Sequence, residues 1–398
     1  MTTLAERTRL ITPPGTSKMR VLANELKAAG IHVVNFAAGE LDFDTSPVVK
    51  TAAKAAIDAG RNTYTPTLGL ASLRKAVAKR ISARLGVDYA PGEVGLTAGA
   101  KQALYNAAMV LLNPGDEVIV PQPYWVTFPT QVEICGAIPV FVDTRDNGYR
   151  LLASSVERSL TPRTRAIIIN SPNNPTGTLY EERELKKIAR LAIAHNLWII
   201  FDECYAELIR DGHQHGNIVQ LCPEVKERTI LVNSFSKSLA LTGWRLGYVA
   251  APEAVIKAME NLQGHTTSNP NSISQYAVEA ALADDDTAFI DEVNRRLQAR
   301  LLLAHELVTH MEGIVAAPAE GAFYLFLNIQ SKIGRRFGDV VVRDVDHLCE
   351  LLLSQARVAV VSGSAFGDAS GIRVSYAISD DDIREGLTRM TEFFNSIH

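Results

Sequence analysis

Residues 197–205 read LWIIFDECY and residues 229–237 read TILVNSFSK. In each, an unbroken apolar run ends abruptly on polar side chains. Asp202 and Tyr205 follow the first run; Ser234, Ser236 and Lys237 follow the second. Apolar runs that do not alternate mark strands buried on both faces, as in a parallel sheet covered by helices. The amphipathic pattern Glu181–His195 just before the first run supplies such a helix.

Working outward, the same alternation of short β-rich runs and longer helical patterns extends from about residue 95 to 250. Strands are expected at Glu93–Thr97, Glu117–Pro121, Ile138–Val142, Ala166–Asn170, Leu197–Phe201, Thr229–Asn233 and Leu246–Ala250. This reads as an α/β fold with a mainly parallel, seven-stranded sheet. After about Asp284 a long charged helix, Thr287–Met311, precedes shorter strands at Ala322–Leu327, Val358–Val361 and Gly371–Ala377, then a closing helix from Asp380. That pattern fits a smaller α+β domain. At the other end, a helix over Lys18–Ala29 and a strand over His32–Phe36 lead to Ser46 and Pro47, which open a helix to about Ala59. The expected division is a segment 1–45 packing with the small domain, a large domain 46–286 and a small domain 287–398. A chain of 398 residues exceeds one ordinary hydrophobic core, which agrees with two bodies.

Composition narrows the function. Charged residues make up 21% and the formal net charge is −4, which favours neither nucleic acid nor a membrane surface as partner. The first residues lack the apolar core of a signal peptide, and no apolar run approaches bilayer-spanning length. Cys135, Cys204, Cys222 and Cys349 are scattered without metal-like spacing and read as free thiols of a cytoplasmic protein. His213 and His215 read as part of a polar surface loop, DGHQHGN, rather than as a zinc site.

In open α/β sheets ligands bind beyond the carboxyl ends of the strands. Four strand ends carry chemistry here. Tyr124 and Trp125 follow one, SPNNPTG with Asn174 another, Asp202 and Tyr205 a third, and Ser234, Ser236 and Lys237 the fourth. Taken singly, each is a cap, a turn or a solvated loop. Together they assemble an amine, an acid, a phenol, an amide and hydroxyls on one rim.

The stretches AAGELDFDT (37–45), TYTPTLGLASLR (63–74), AGAKQALYN (98–106), NPGDEVIVPQPYW (113–125), NSPNNPTGT (170–178), FDECY (201–205), SFSKSLALTGWRLGY (234–248) and GIRVSYA (371–377) are spread over nearly the whole chain. In them the sequence resembles the class I aminotransferases of pyridoxal-phosphate fold type I, closest to the bacterial aspartate aminotransferase subgroup. The resemblance implies pyridoxal 5'-phosphate as cofactor, an amino acid and a 2-oxo acid as substrates in a ping-pong reaction, and a homodimer with shared active sites.

It also implies roles, residue by residue. Lys237 matches the lysine that forms a Schiff base with the cofactor aldehyde and then carries a proton. Lysine suits because burial and cationic neighbours depress its pKa. Asp202 matches the carboxylate that keeps the ring nitrogen protonated, which makes the cofactor an electron sink. Tyr205 and Asn174 match the residues that bind its phenolic oxygen, and Trp125 the aromatic that stacks on its face. Phosphate calls for backbone N–H groups at a helix start, hydroxyls and a cation. Ala100 and Lys101 open the helix KQALYNAAMVLL, and Ser234, Ser236 and Arg245 supply the rest. Tyr64 resembles the tyrosine that reaches the phosphate of the neighbouring subunit. Arg373 matches the planar fork that grips the substrate α-carboxylate, with Gly39, Trp125 and Asn174 beside it.

Lys101 stands at the first turn of its helix, where the macrodipole disfavours a cation unless anions lie near. In the aspartate-type subgroup this lysine serves the distal carboxylate of a dicarboxylic substrate, helped by a threonine that Thr16 matches. Aspartate as donor and 2-oxoglutarate as acceptor follow. Relatives that also take prephenate carry a lysine four residues before that threonine, where this chain has Thr12; the departure speaks against prephenate. Two other chemistries use the same ring contacts: transamination of aromatic or neutral amino acids, and a lyase or other modifying reaction on an amino acid. A nicotinamide-dependent dehydrogenase lacks its signature, because no GxGxxG follows a strand and opens a helix.

Overall fold

The computed structural model describes residues 4–9, 11, 13, 15–284 and 287–398, without the side chains of residues 6, 16–18, 20 and 284. Its centre is a seven-stranded sheet of β1 (Val94–Thr97), β2 (Glu117–Gln122), β3 (Ile138–Asp143), β4 (Thr164–Asn170), β5 (Trp198–Asp202), β6 (Thr229–Ser234) and β7 (Gly247–Ala250). The strands lie in the order β1-β7-β6-β5-β4-β2-β3. Strands β2 to β6 pair in parallel, and β7 runs antiparallel to both β6 and β1. Fold class and strand count therefore agree with the sequence reading.

Physical detail explains the boundaries. β6 is buried along its whole length and β4 nearly so, whereas the edge strand β3 exposes Ile138 and Phe141. One apolar cluster packs Leu185, Ile188 and Ala192 of the helix Glu182–Ala194 against Ile167, Ile199 and Leu231; another packs Leu104, Ala107 and Met259 against Val118, Ile168 and Val232. β7 begins one residue later than expected, because Arg245 sits at φ +55° and turns the chain just before it. Register sets the rim: Asn170 pairs with Asp202, and Ser234 and Thr97 each pair with Gly247. The ends of β1, β4, β5 and β6 thus share one edge.

A second sheet is antiparallel, in the order Val361–Ser362, Gly371–Ser375, Tyr324–Asn328, Val315–Ala316. The expected strand Val358–Val361 is split. Val358–Ala359 pairs in parallel with Val34–Asn35 from the N-terminal segment, and only Val361–Ser362 joins the second sheet. The expected strand Ala322–Leu327 starts at Tyr324, because Ala322 lies at φ +56°. Met19, Ala23, Val34 and Phe36 share one apolar cluster with Leu325, Val358, Ile372, Leu387 and Phe394. The helix Thr287–Val308 lines that cluster with Val293, Leu297, Leu301 and Ala304.

Candidate active site

A cavity of about 410 Å³ opens at the rim of the large sheet, between it and the segment 37–40. Of the side chains singled out in the sequence, it is lined by Gly39, Ala100, Lys101, Trp125, Asn174, Asp202, Tyr205, Ser234, Ser236, Lys237, Arg245 and Arg373. Each strand end delivers its polar residue because a strand must stop where its apolar cover stops.

Lys237 stands in the short helix Phe235–Ser238 directly after β6, and its Nζ donates to the carbonyl of Gly39. The amine lies 5.5 Å from the centre of the Phe323 ring and 5.9 Å from that of Tyr205. Burial pulls it down to about 8, with Arg373 and Arg245 adding to the pull and Cys204 and Glu40 opposing it. Asp202 is 4% exposed at the end of β5. Burial raises its carboxyl to about 6, against the backbone N–H of Cys204, which donates to Oδ1 at 3.1 Å. A buried acid with a raised pKa is stabilised in its charged form by a cation placed against it.

At the other end of the cavity, Gly99 takes φ +77°, and a Cβ there would fall 2.5 Å from Nη2 of Arg245. Only glycine fits this turn. It lets the helix Ala100–Leu111 begin at the cavity wall, where Ala100 and Lys101 line the space; the first turn of a helix is a ready anion site. Arg245 is held by the carbonyls of Thr242 and Ala98, at 2.9 and 3.3 Å. The hydroxyls of Ser234 and Ser236 lie 2.7 Å apart beside it. Lys101 lies with Nζ 4.9 Å over the ring of Trp125, its pKa lowered by burial and then by Arg245.

Arg373, on the strand Gly371–Ser375, is 3% exposed. Its Nη1 donates to Oδ1 of Asn174 at 2.9 Å and its Nη2 to the carbonyl of Ala37 at 3.0 Å. Its Nε–H has no hydrogen-bond partner among the described residues. Lys101, Lys237, Arg245 and Arg373 all face this space, and among the described residues none of them is in an ion pair. Asp202 and Glu40 are the only carboxylates in the described lining. Four cations against two acids make a receptacle for a ligand carrying several negative charges.

Two expected residues stand apart. Tyr64 is 90% exposed and does not line the cavity of its own chain. The side chain of Thr16 lies outside the described residues, as does Thr12. Sequence reading missed Tyr324, Glu40 and Thr242, all in the lining. Thr242 donates to Oε2 of Glu40 at 3.1 Å. Glu40 could have been suspected from its place beside Gly39; Tyr324 read only as a strand residue. The expectation of a surface loop fails for His215, whose Nε2 lies 3.0 Å from Oε2 of buried Glu203 and whose ring is 7% exposed.

The family model for class I and II aminotransferases matches residues 31–390. The chain is 40% identical over 394 residues to an aspartate aminotransferase of Geobacillus stearothermophilus, with 99% of each covered. It is 38% identical over 396 residues to an aspartate/prephenate aminotransferase of Cereibacter sphaeroides, again with 99% of each covered. Among solved structures it resembles the Thermus thermophilus aspartate aminotransferase with maleate, at TM-score 0.93 and 36% identity, covering 99% of this chain and 100% of that one. The aspartate aminotransferase from Rhizobium meliloti superposes with TM-score 0.95 at 36% identity, covering all of both chains.

Proposed function

The chain belongs to the class I and II aminotransferases, and from that premise we propose that it moves the amino group of aspartate to 2-oxoglutarate. The enzymes of this family use pyridoxal 5'-phosphate, and the residues present fit it. The amine of Lys237, the buried acid Asp202 and the cup of Ala100, Ser234, Ser236 and Arg245 line one cavity. The bound cofactor supplies an electron sink for the pair left when the substrate α-proton departs.

The protein's own groups do the rest. Lys237 tethers the cofactor and then, as a neutral amine, takes and returns the α-proton. Its depressed pKa leaves a large neutral fraction near pH 8, which a base requires. Asp202 holds a proton on the ring nitrogen by offering its carboxylate in a low-dielectric pocket. Tyr205 and Asn174 donate to the phenolic oxygen. Trp125 covers the ring and excludes water. Arg373 fixes the α-carboxylate by parallel charge-assisted bonds, which also sets the direction of the α C–H bond.

The single observation that carries the choice of donor is Lys101, a second cation lining the same cavity as Arg373. Lys101 shares the phosphate cup with Arg245, and a dicarboxylate gives it a distal carboxylate as well, so that Arg373 and Lys101 each hold one end of the substrate. Maleate, a dicarboxylate, is the ligand named with the Thermus relative. Thr12 departs from the prephenate pattern, so prephenate is expected to be a poor acceptor although relatives carry both names.

We further propose a homodimer in which exposed Tyr64 reaches the partner's phosphate cup, and domain limits at 45/46 and 286/287. The apolar cluster joining the N-terminal segment to the C-terminal strands supports the first limit. Among the described residues no helix is long and apolar enough to cross a membrane. Four free thiols suit a reducing compartment, the cytoplasm.

A single-turnover panel tests the function, with bleaching of the cofactor's visible absorbance as readout. Aspartate and glutamate should bleach it fastest. If aromatic or neutral amino acids react much faster, the dicarboxylate assignment is wrong; pyruvate and ammonia released without a 2-oxo acid would indicate a lyase instead.

A further inference from the structure

We propose that Tyr324 is a positioning residue for the reaction, linking the hydroxyl of Tyr205 to the guanidinium of Arg373; the assignment rests on the aminotransferase reading above. Tyr324 opens the strand Tyr324–Asn328, which pairs antiparallel with Gly371–Ser375. In that register Phe326 stands opposite Arg373 and Tyr324 opposite Ser375. Tyr324 and Arg373 are therefore diagonal neighbours on one face, within reach of long side chains.

The ring and the hydroxyl have separate work. The guanidinium of Arg373 lies 4.4 Å from the centre of the Tyr324 ring and 5.1 Å from that of Phe366. These two faces, with the bonds to Asn174 and Ala37, fix the plane of the fork before any carboxylate arrives. The hydroxyl of Tyr324 lies 3.0 Å from that of Tyr205, with the two rings edge to face. Gly39 is close by: a Cβ there would fall 3.3 Å from the Tyr324 hydroxyl oxygen.

Either phenol can donate while the cavity holds only protein. Once an anionic oxygen lies before Tyr205, the Tyr205 proton points to it, and Tyr324 must donate to the Tyr205 oxygen. Hydrogen bonds in series polarise one another, so the second phenol strengthens the first as a donor. Tyr324 is 1% exposed and would pass for an ordinary core aromatic. Its two functional partners, one in the turn after β5 and the other on a strand of the second sheet, are what set it apart.

The experiment compares holoenzyme variants Tyr324→Phe and Tyr324→Leu with the parent and with Tyr205→Phe. The first readout is the pH at which the bound cofactor's visible absorbance titrates; the second is KM for aspartate. Tyr324→Phe keeps the ring, so KM should stay within about twofold while the spectral midpoint rises by about one pH unit. Combined with Tyr205→Phe it should add nothing further, because both act through one oxygen. Tyr324→Leu should raise KM about tenfold as well. An unchanged midpoint in Tyr324→Phe, or a shift that adds to that of Tyr205→Phe, overturns the proposal. So does equal KM in the Leu and Phe variants. A parent protein that binds no cofactor, or is not bleached by aspartate, defeats the underlying reading itself, and this inference with it.

Discussion

Arg300 holds Asp42 in a two-point fork, with Nη1 2.6 Å from Oδ1 and Nη2 2.8 Å from Oδ2. Its Nε donates to Oδ1 of Asp380 at 2.9 Å, and the guanidinium lies 4.9 Å over the ring of Phe43. The arginine is 3% exposed. It joins the long helix Thr287–Val308, the start of the helix Asp380–Asn395 and the segment that crosses the cavity at Gly39 and Glu40.

Breaking that junction should cost more than an ordinary surface pair. Arg300→Leu leaves Asp42 and Asp380, 32% and 64% exposed, without their shared cation; water offsets part of the loss, and about 2 kcal/mol is expected. Asp42→Asn should lose about 1 kcal/mol, because Asp42 is 32% exposed and water replaces part of the bond. Urea unfolding of both variants checks the order, and KM for aspartate should rise in each as Gly39 loses its tether.

The pH response of Lys237 follows from its depressed pKa. As pH rises through 8 the neutral amine accumulates, while ordinary lysines, near 10.4, remain charged. Cofactor-free protein treated with a limiting aryl sulfonate reagent should therefore be modified first at Lys237, with a rate midpoint near pH 8. Peptide mapping that finds this lysine no faster than surface lysines contradicts the assignment.

Asp202→Asn should separate stability from chemistry. With its ordinary value of 3.8 raised to about 6, the folded carboxyl binds its proton more tightly than the unfolded one. Folded-state stability is then lost as pH climbs from about 4 to about 6, by at most ~3 kcal/mol. The cofactor-free Asn variant should escape this loss and be the more stable protein at pH 7 in urea titrations. Loaded with cofactor it should turn over at least a hundredfold more slowly, since an amide cannot hold the ring nitrogen protonated.

Gly99→Ala probes the phosphate cup. The new methyl would fall against Arg245, and the position demands φ +77°. Cofactor affinity should drop about tenfold or more as Arg245 is displaced, with a further ~1 kcal/mol lost in fold stability. Fluorescence titration with pyridoxal phosphate reads the first effect and thermal unfolding the second.

How much of this was legible in the chain depends on range. Asp202, Ser234 and Lys237 could be found because strand and chemistry adjoin in sequence, so a local pattern places them on the rim. The sheet was legible for the same reason: runs such as AIII and TILV declare double-sided burial. Tyr324 was not legible, since its partners Tyr205 and Arg373 lie far away along the chain and its own strand reads as plain core. Arg300 hid likewise, one arginine among several on a long charged helix. Strand ends shifted where single residues, Arg245 and Ala322, adopt left-handed backbone that no apolar pattern announces. His215 misled because a short run of histidine, glutamine and glycine looks solvated until its acid, Glu203, is placed behind it.

The excess of positive charge around the cavity reaches beyond catalysis. A protein that keeps four cations facing one another is held at a disadvantage until an anion joins them. Ligand at a hundredfold over its Kd adds ~2.7 kcal/mol to folding, a large share of what a domain of this kind possesses. The lifetime of the polypeptide in a cell should then track vitamin B6 supply, with starved cells degrading it faster than replete ones even at equal rates of synthesis.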